Sequence, residues 1–541
     1  MTAAAAGARA ARALAARVPV KCLLALTFGT ALAMSFAPAR AWWFAPYCVA
    51  GLLLLLDVRL RSAFWIGACF GMGWFGAGFW WIAPALDGFS ESRSGVTVGL
   101  TAVLVVYLSL FPACAAVLIT QCRRTLRPGL RGRLSMSLRI ALIFAVAEWA
   151  RGTLFGGFSM AATGYAHADG PLSGFAPLIG VNGLGFLNAW IAALLAGACC
   201  RERAQRSGRP WIEAAAALGL AALVLASGAL LKQVAWTHDS AGTLSVSLLQ
   251  GNLPQSEKYS DAGFVRAVDR YLALASRAQG RLIVLPETAL PVEWSSMPPV
   301  VARSFQEIAD ARGATIVIGA VAYRAAAGPA RRDLANSAIA LQPHQASDAA
   351  SYRYDKHHLV PFSETLPPGA AWIGRLLGMD GGGLAPGPAQ QAPLLAAGVR
   401  IGITICFESL FDTAVARRAG DAELMLNLTN FAWSTGSWAA VQHLQAAQMR
   451  ALETGRWLAQ ASNTGDTALI DAHGRIRQQL PPDVPGILDA EVRLLSGQTP
   501  FMMLGNWPLL IAAVLAWAGT IRRRLRALAR RGAPCMRWRR A

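Results

Sequence analysis

The chain has 541 residues, 50 Lys and Arg against 30 Asp and Glu, and a formal net charge of +20. Hydrophobic residues make up 55% and charged residues 15%, with a mean hydropathy of +0.39. A soluble domain carries about 25% charge, so a wholly soluble enzyme is excluded, and the abundance of apolar material excludes intrinsic disorder. The positive charge falls in short runs between apolar stretches rather than on one basic face. That pattern argues against a nucleic-acid partner and for loops beside a lipid bilayer.

A bilayer core of about 30 Å takes about 20 apolar residues per helix. Seven such segments precede residue 235, at roughly 20–37, 42–57, 63–86, 95–121, 136–155, 175–198 and 211–231, and an eighth runs from about 504 to 521. The expected architecture is a polytopic α-helical membrane domain over 1–235, a water-soluble domain over 243–495, and a C-terminal membrane helix with a basic tail over 500–541. Every second connection is basic: Arg9, Arg12 and Arg17 at the start, then Arg59 and Arg61, Arg123 and Arg124, Arg201 and Arg203, and finally Arg522 to Arg524. By the positive-inside rule both termini are cytoplasmic and the middle domain is exported. The N-terminus also reads as a signal peptide cleaved near Ala37-Pro38-Ala39, and that reading stays open beside the first.

Trp42, Trp43, Trp80 and Trp81 fall at span ends, where aromatic rings suit the membrane interface. Gly71, Gly73, Gly76 and Gly78 predict close helix contact. Glu148 and Arg151, three apart on one helix face, suit either a structural ion pair or a lipid-headgroup site.

From about 243 onward short β runs alternate with helical stretches. Strands are expected at Ser245–Gln250, Leu282–Leu285, Thr315–Val321, Val399–Ile405 and Leu424–Leu428, and helices at Ala262–Ala278, Pro299–Arg312 and Ser437–Trp457. This is the pattern of a layered α/β or α+β domain. Of nine cysteines, only Cys406 lies in it. Following an apolar strand and preceding a turn, Cys406 is either a thiolate nucleophile held by N–H donors or a small buried hydrophobe. Glu287 follows LIVLP, and a carboxylate emerging from a buried strand is expected to be desolvated, which suits proton transfer, although a solvated loop position is equally compatible. Lys356 could steady an oxyanion or sit on the surface. His357 and His358 lack a third ligand at metal-site spacing, so no metal and no cofactor are expected.

Pro286-Glu287, the run Asp355-Lys356-His357-His358-Leu359-Val360-Pro361-Phe362-Ser363-Glu364, and Ile405-Cys406-Phe407-Glu408 together resemble the carbon–nitrogen hydrolase (nitrilase) superfamily. With membrane spans before and after, the whole chain resembles the apolipoprotein N-acyltransferase family. Gln250 to Gln255, Phe75 to Gly78, Glu148 to Gly152, Gly164-Tyr165, Asn427 to Asn430 and Arg450 to Glu453 resemble its other motifs. The resemblance implies an exported α-β-β-α sandwich with a Glu287-Lys356-Cys406 triad. It also implies transfer of an acyl chain from a phospholipid donor to the amine of a diacylglyceryl-modified apolipoprotein, at a bacterial inner membrane. Glu364 would hold Lys356, Glu408 would orient the cysteine turn, and the backbone N–H near Phe407 would join the oxyanion site. Asn430, Trp433, Glu148, Arg151 and Trp372 are candidates for substrate contact, Trp372 in an apolar lid over Leu366–Gly378. Three positions depart from the family pattern: Phe407, Tyr259 and Phe431. Two other functions remain compatible with the sequence, a tethered amidase acting on a small exported amide and a lipid-binding or transport protein without catalysis.

Overall fold

The computed structural model describes residues 3–56, 59–87, 94–124, 129–199, 210–258, 260–325, 332–345, 352–366, 369 and 383–518. Tyr259, Trp372 and most of the expected lid lie outside them. Helices occupy all eight expected apolar segments. In chain order they are α1 (Ala3–Ala33), α2 (Phe44–Leu55), α3 (Leu60–Gly78) with the short α4 (Ile82–Asp87), α5 (Ser94–Arg123), α6 (Leu130–Thr153), α7 (Ala176–Cys199), α8 (Pro210–Leu231) and, near the C-terminus, Trp507–Ala518. Three stretches, Gly95–Arg123, Pro171–Cys199 and Trp211–Leu231, are long and apolar enough to cross a membrane. Val103 and Val106 on α5, and Leu218, Leu223 and Leu230 on α8, turn outward. Water would penalise such faces and lipid accepts them.

Close packing between α1 and α3 depends on a missing side chain. A Cβ on Gly73 would lie 2.1 Å from the Leu26 carbonyl oxygen. Gly76 and Gly78 instead face open space, so the expected contact stripe covers only the first half of the run. Trp81 also departs from expectation. It is buried, stacks obliquely on Trp433 at 6.2 Å and donates to Gln442 Oε1 at 3.3 Å, so it joins two parts of the fold rather than facing lipid.

The remaining elements form two stacked sheets flanked by helices. The strands that matter below are β1 (His238–Gln250), β2 (Leu282–Val284), β4 (Thr315–Ala325), β5 (Arg332–Leu341), β6 (Tyr352–Asp355), β8 (Val399–Ile405), β9 (Leu424–Thr429) and β10 (Leu458–Ser462). Among the described strands, β3 (Leu290–Glu293), β7 (Leu394–Ala396), β11 (Ala468–Ile470), β12 (Ile476–Gln479) and β13 (Gly486–Ser496) complete the two sheets, one in the order β13-β1-β2-β4-β5-β6 with β3 beside β4, the other β12-β11-β10-β9-β8-β7. Successive strand residues point to opposite faces, and the packing follows. Leu282, Val284 and Val317 face the second sheet, meeting Ile401, Ile403, Leu426 and Leu428. Ile283, Ile316 and Ile318 face outward, onto Tyr271 of the helix Asp261–Ala275 and Phe305 of the helix Pro299–Arg312. On the far side, Met425 and Leu458 pack on Val415, Leu444, Ala447 and Ala451 of two further helices, Asp412–Gly420 and Ala439–Thr454. The order is helix, sheet, sheet, helix, as expected.

The sandwich is fused to the helical part. Phe407, Phe431, Ala446 and Met449 belong to the same buried apolar cluster as Phe75, Phe79 and Met160. Polar ties cross the joint: Val181 N–H to Glu453 Oε1 at 2.7 Å, Ser159 Oγ to the Leu410 carbonyl at 2.7 Å, and Ala37 N–H to Gln445 Oε1 at 3.0 Å.

Candidate active site

Glu287, Lys356 and Cys406 each leave the C-terminal end of a strand, β2, β6 and β8. Parallel pairing of β1, β2 and β4, and of β8, β9 and β10, turns strand ends to a common edge. The Pro286-Glu287 turn lies against β4 because position 319 is glycine. A Cβ there would fall 2.1 Å from the Pro286 carbonyl oxygen.

Lys356 is 1% exposed, and its Nζ donates to Glu287 Oε1 and Glu364 Oε1, both at 2.9 Å. Asn336, on β5, donates its Nδ2 to the same two oxygens at 2.8 Å. The second Glu364 oxygen takes the Val360 N–H at 2.8 Å. Burial works against the ammonium, but the Glu287 and Glu364 carboxylates outweigh it and hold Lys356 above the ordinary lysine value. It is a fixed cation.

Cys406 is 6% exposed and sits at φ +50°, in the left-handed region that a non-glycine residue occupies only under constraint. Its N–H is bound by Asn427 Oδ1 at 3.1 Å, and its carbonyl accepts from His443 Nε2 at 2.8 Å, which assigns the proton to that nitrogen. Asn427 in turn donates to Ser409 Oγ and Gln460 Oε1. The thiol lies within the electrostatic reach of Glu287, Lys356 and Glu364. Burial first, then the Glu287 carboxylate, push it well above the usual cysteine value, with Lys356 pulling the other way. Of the two readings left open from sequence, a held thiolate is disfavoured, and the resting group is a thiol near the Glu287 carboxylate.

Glu408, wholly buried, joins the two segments. Its carboxylate accepts from the N–H of Ile405 and His357 (each 2.9 Å), from Tyr354 OH (2.8 and 2.9 Å) and from Arg418 Nη2 (3.2 Å). The strand carrying Lys356 and the turn carrying Cys406 thus share one anion. Phe407 is buried edge-on against Phe411 at 5.3 Å.

Comparison with known proteins bears on this arrangement. Residues 28–194 match the family described as "Apolipoprotein N-acyltransferase N-terminal domain", and residues 245–499 match "Carbon-nitrogen hydrolase". The apolipoprotein N-acyltransferase of Ralstonia nicotianae is 36% identical over 95% of this chain and 95% of its own length. That of Chromobacterium violaceum is 33% identical over 93% and 95%, and that of Nitrosomonas europaea 36% identical over 90% and 93%. The chain belongs to the apolipoprotein N-acyltransferase family.

Other residues singled out from the sequence take varied positions in this N-acyltransferase family member. Asn430 is buried and accepts from Asn463 Nδ2 at 3.0 Å, bracing two loops beside the site. Trp433 lies at the joint with the helices, next to Phe431 and Trp81. Glu148 and Arg151 bond the loop after their helix rather than each other. Glu148 accepts the Thr163 N–H at 2.7 Å and its hydroxyl at 2.6 Å; Arg151 donates to the Phe158 and Met160 carbonyls at 2.5 and 3.0 Å. The Arg151 guanidinium also lies 5.1 Å from the Phe75 ring. His357 donates from Nδ1 to the Gly387 carbonyl at 2.7 Å, and His358 stacks on Phe411 at 3.8 Å. Sequence reading missed Asn336, His443 and Lys258, all buried and all within the electrostatic reach of Glu287. The only advance signal was their polar character inside otherwise buried stretches.

Proposed function

We propose that this protein transfers an acyl chain from a phospholipid to the N-terminal α-amine of a diacylglyceryl-cysteine apolipoprotein, through a thioester on Cys406. The observation that carries the reading is a buried thiol within the electrostatic reach of a carboxylate that is itself clamped by a lysine, at the seam between a hydrolase-like sandwich and apolar helices. Glu287 takes the thiol proton as sulfur attacks the ester carbonyl carbon. Lys356 and a backbone N–H of the cysteine turn steady the negative oxygen. The carbon–oxygen bond breaks, and the proton on Glu287 goes to the departing lysophospholipid oxygen. The neutral amine then attacks the thioester, its proton passes to Glu287, the carbon–sulfur bond breaks and the thiol is restored. The thioester supplies the reactivity for amide formation, so no nucleotide is consumed. Apolar surroundings of Phe407, Phe411 and Phe431 keep water away and disfavour the amidase alternative.

Both substrates are lipid-anchored, which accounts for a catalytic unit of about 243–495 tied to helices over 1–235 and 500–541. The basic loops support eight spans, cytoplasmic termini and a periplasmic catalytic domain in the inner membrane. Glu364 positions Lys356 and Glu408 positions the cysteine turn. Intact-mass spectrometry of the full chain incubated with phospholipid tests the chemistry. An acyl adduct on Cys406, discharged by a diacylated lipopeptide and absent in Cys406→Ala, is expected. Full transfer activity in Cys406→Ala would overturn the reading.

A further inference from the structure

A second lysine shares the site. Lys258 lies between β1 and the helix Asp261–Ala275, is 4% exposed, and donates from Nζ to Thr288 Oγ1 at 2.5 Å. Thr288 follows Glu287 directly and is held at φ +45°, so the ammonium is fixed beside the turn that carries the carboxylate. An ammonium has three donors, and burying one without an anion is costly. The anion facing it is Glu287. Burial brings Lys258 down to about 8, and the Glu287 carboxylate opposes that fall.

The charge balance explains why a second cation belongs here. Lys356 is divided between Glu287 and Glu364 at equal distances. Two buried carboxylates on one ammonium leave an excess negative charge, which would favour proton uptake from solvent by one of them. The other groups facing Glu287 do not correct this. Asn336 is a neutral amide, the Cys406 thiol is protonated at rest, and burial holds the His443 imidazole neutral. Lys258 brings the sum to zero.

We propose that Lys258 is a positioning residue of the acyl-transfer reaction, a second buried cation that acts through Glu287 to keep that carboxylate ionised and able to accept the thiol proton. It touches neither substrate nor the reacting sulfur. The inference rests on the reading of Glu287 as the base.

The test is the pH profile of Cys406 acylation in the full-length protein, followed by intact mass between pH 4.5 and 9 with phosphatidylethanolamine vesicles as donor. Protonation of the base stops the reaction as pH falls. Removing a nearby positive charge moves that loss to higher pH, by about one unit. Lys258→Met is expected to be about tenfold slower than the parent on the acid side and within about threefold near pH 8, and Lys258→Arg to restore the parental limb. Should Lys258→Met not fold, Lys258→Gln, which can still bond Thr288, carries the same comparison. A uniform loss at every pH, an unmoved acid limb, or an arginine variant that fails to restore the limb would overturn the proposal. If the parent forms no adduct on Cys406, the catalytic reading fails with it; an adduct with an unmoved limb sinks the Lys258 inference alone.

Discussion

Replacing Glu408 by glutamine keeps the volume and removes the charge. The consequence can be worked out from its five donors, the N–H of Ile405, His357 and His358, the Tyr354 hydroxyl and Arg418. The Ile405 N–H bonds one oxygen, and the His357 N–H bonds the other. Whichever way the new amide is turned, its NH2 meets a backbone N–H, and one buried bond becomes a donor facing a donor. Arg418, whose side chain is 9% exposed, also loses the carboxylate that neutralises it. A lost bond to a charged group costs about 1.5–3 kcal/mol, and stranding a buried partner costs about 3–5 kcal/mol. The two overlap, so about 3–5 kcal/mol is the expected loss. For a domain of this size each kcal/mol is about 2–4 °C in Tm, giving a fall of roughly 6–20 °C. Thermal unfolding of the full chain in detergent, read by tryptophan fluorescence, measures it. Because Glu408 ties the Lys356 segment to the Cys406 turn, Cys406 acylation should fall by about 100-fold, the cost of a displacement near 1 Å. A variant that melts within about 2 °C of the parent and acylates normally would refute the idea that this anion holds the two segments together.

Four further outcomes are expected. Lys356→Met leaves Glu287 and Glu364 together without their shared cation and removes a charge from the oxyanion, so single-turnover acylation should fall by about 1,000-fold or more; a loss under tenfold would contradict its role. Gly319→Ala should lower Tm by the cost of overpacking, about 1–3 kcal/mol, and slow acylation by displacing Glu287, whereas Gly76→Ala, facing open space, should do neither. The raised Cys406 thiol should make the resting enzyme alkylate with iodoacetamide more slowly at pH 7 than a free cysteine, with the rate climbing through pH 9. The fold holds that proton more tightly than the unfolded chain does. Its stabilising contribution is therefore complete below the unfolded cysteine value near 8.5 and is lost as pH rises further, so Tm should drop more steeply above pH 8.5 in the parent than in Cys406→Ala.

The parts legible in the sequence were those with local signatures. The strand Val399–Ile405 and the helix Pro299–Arg312 fall at their expected bounds, the first from a run rich in Val, Ile and Thr, the second from a proline start and a glycine end. The strand Arg332–Leu341 was missed because its sequence, RDLANSAIAL, has neither strict alternation nor bulk. Its burial comes from ten paired positions with β4 and from β6 on the other side. With that strand went Asn336, which bonds both carboxylates although 49 and 28 residues separate it from them. Glu148 and Arg151 show the converse limit. Spacing put them on one face, yet the chain that returns over that face supplied their partners.

The continuity of one greasy cluster from the helices into the sandwich has a consequence for any attempt to take the molecule apart. Phe407 and Phe431 share that cluster with Phe79 and Trp81, rings that precede them in the chain by hundreds of residues, and Trp81 lies against Trp433, the neighbour of Phe431. Severed from its helices, the catalytic half would present that uncovered patch to water and clump.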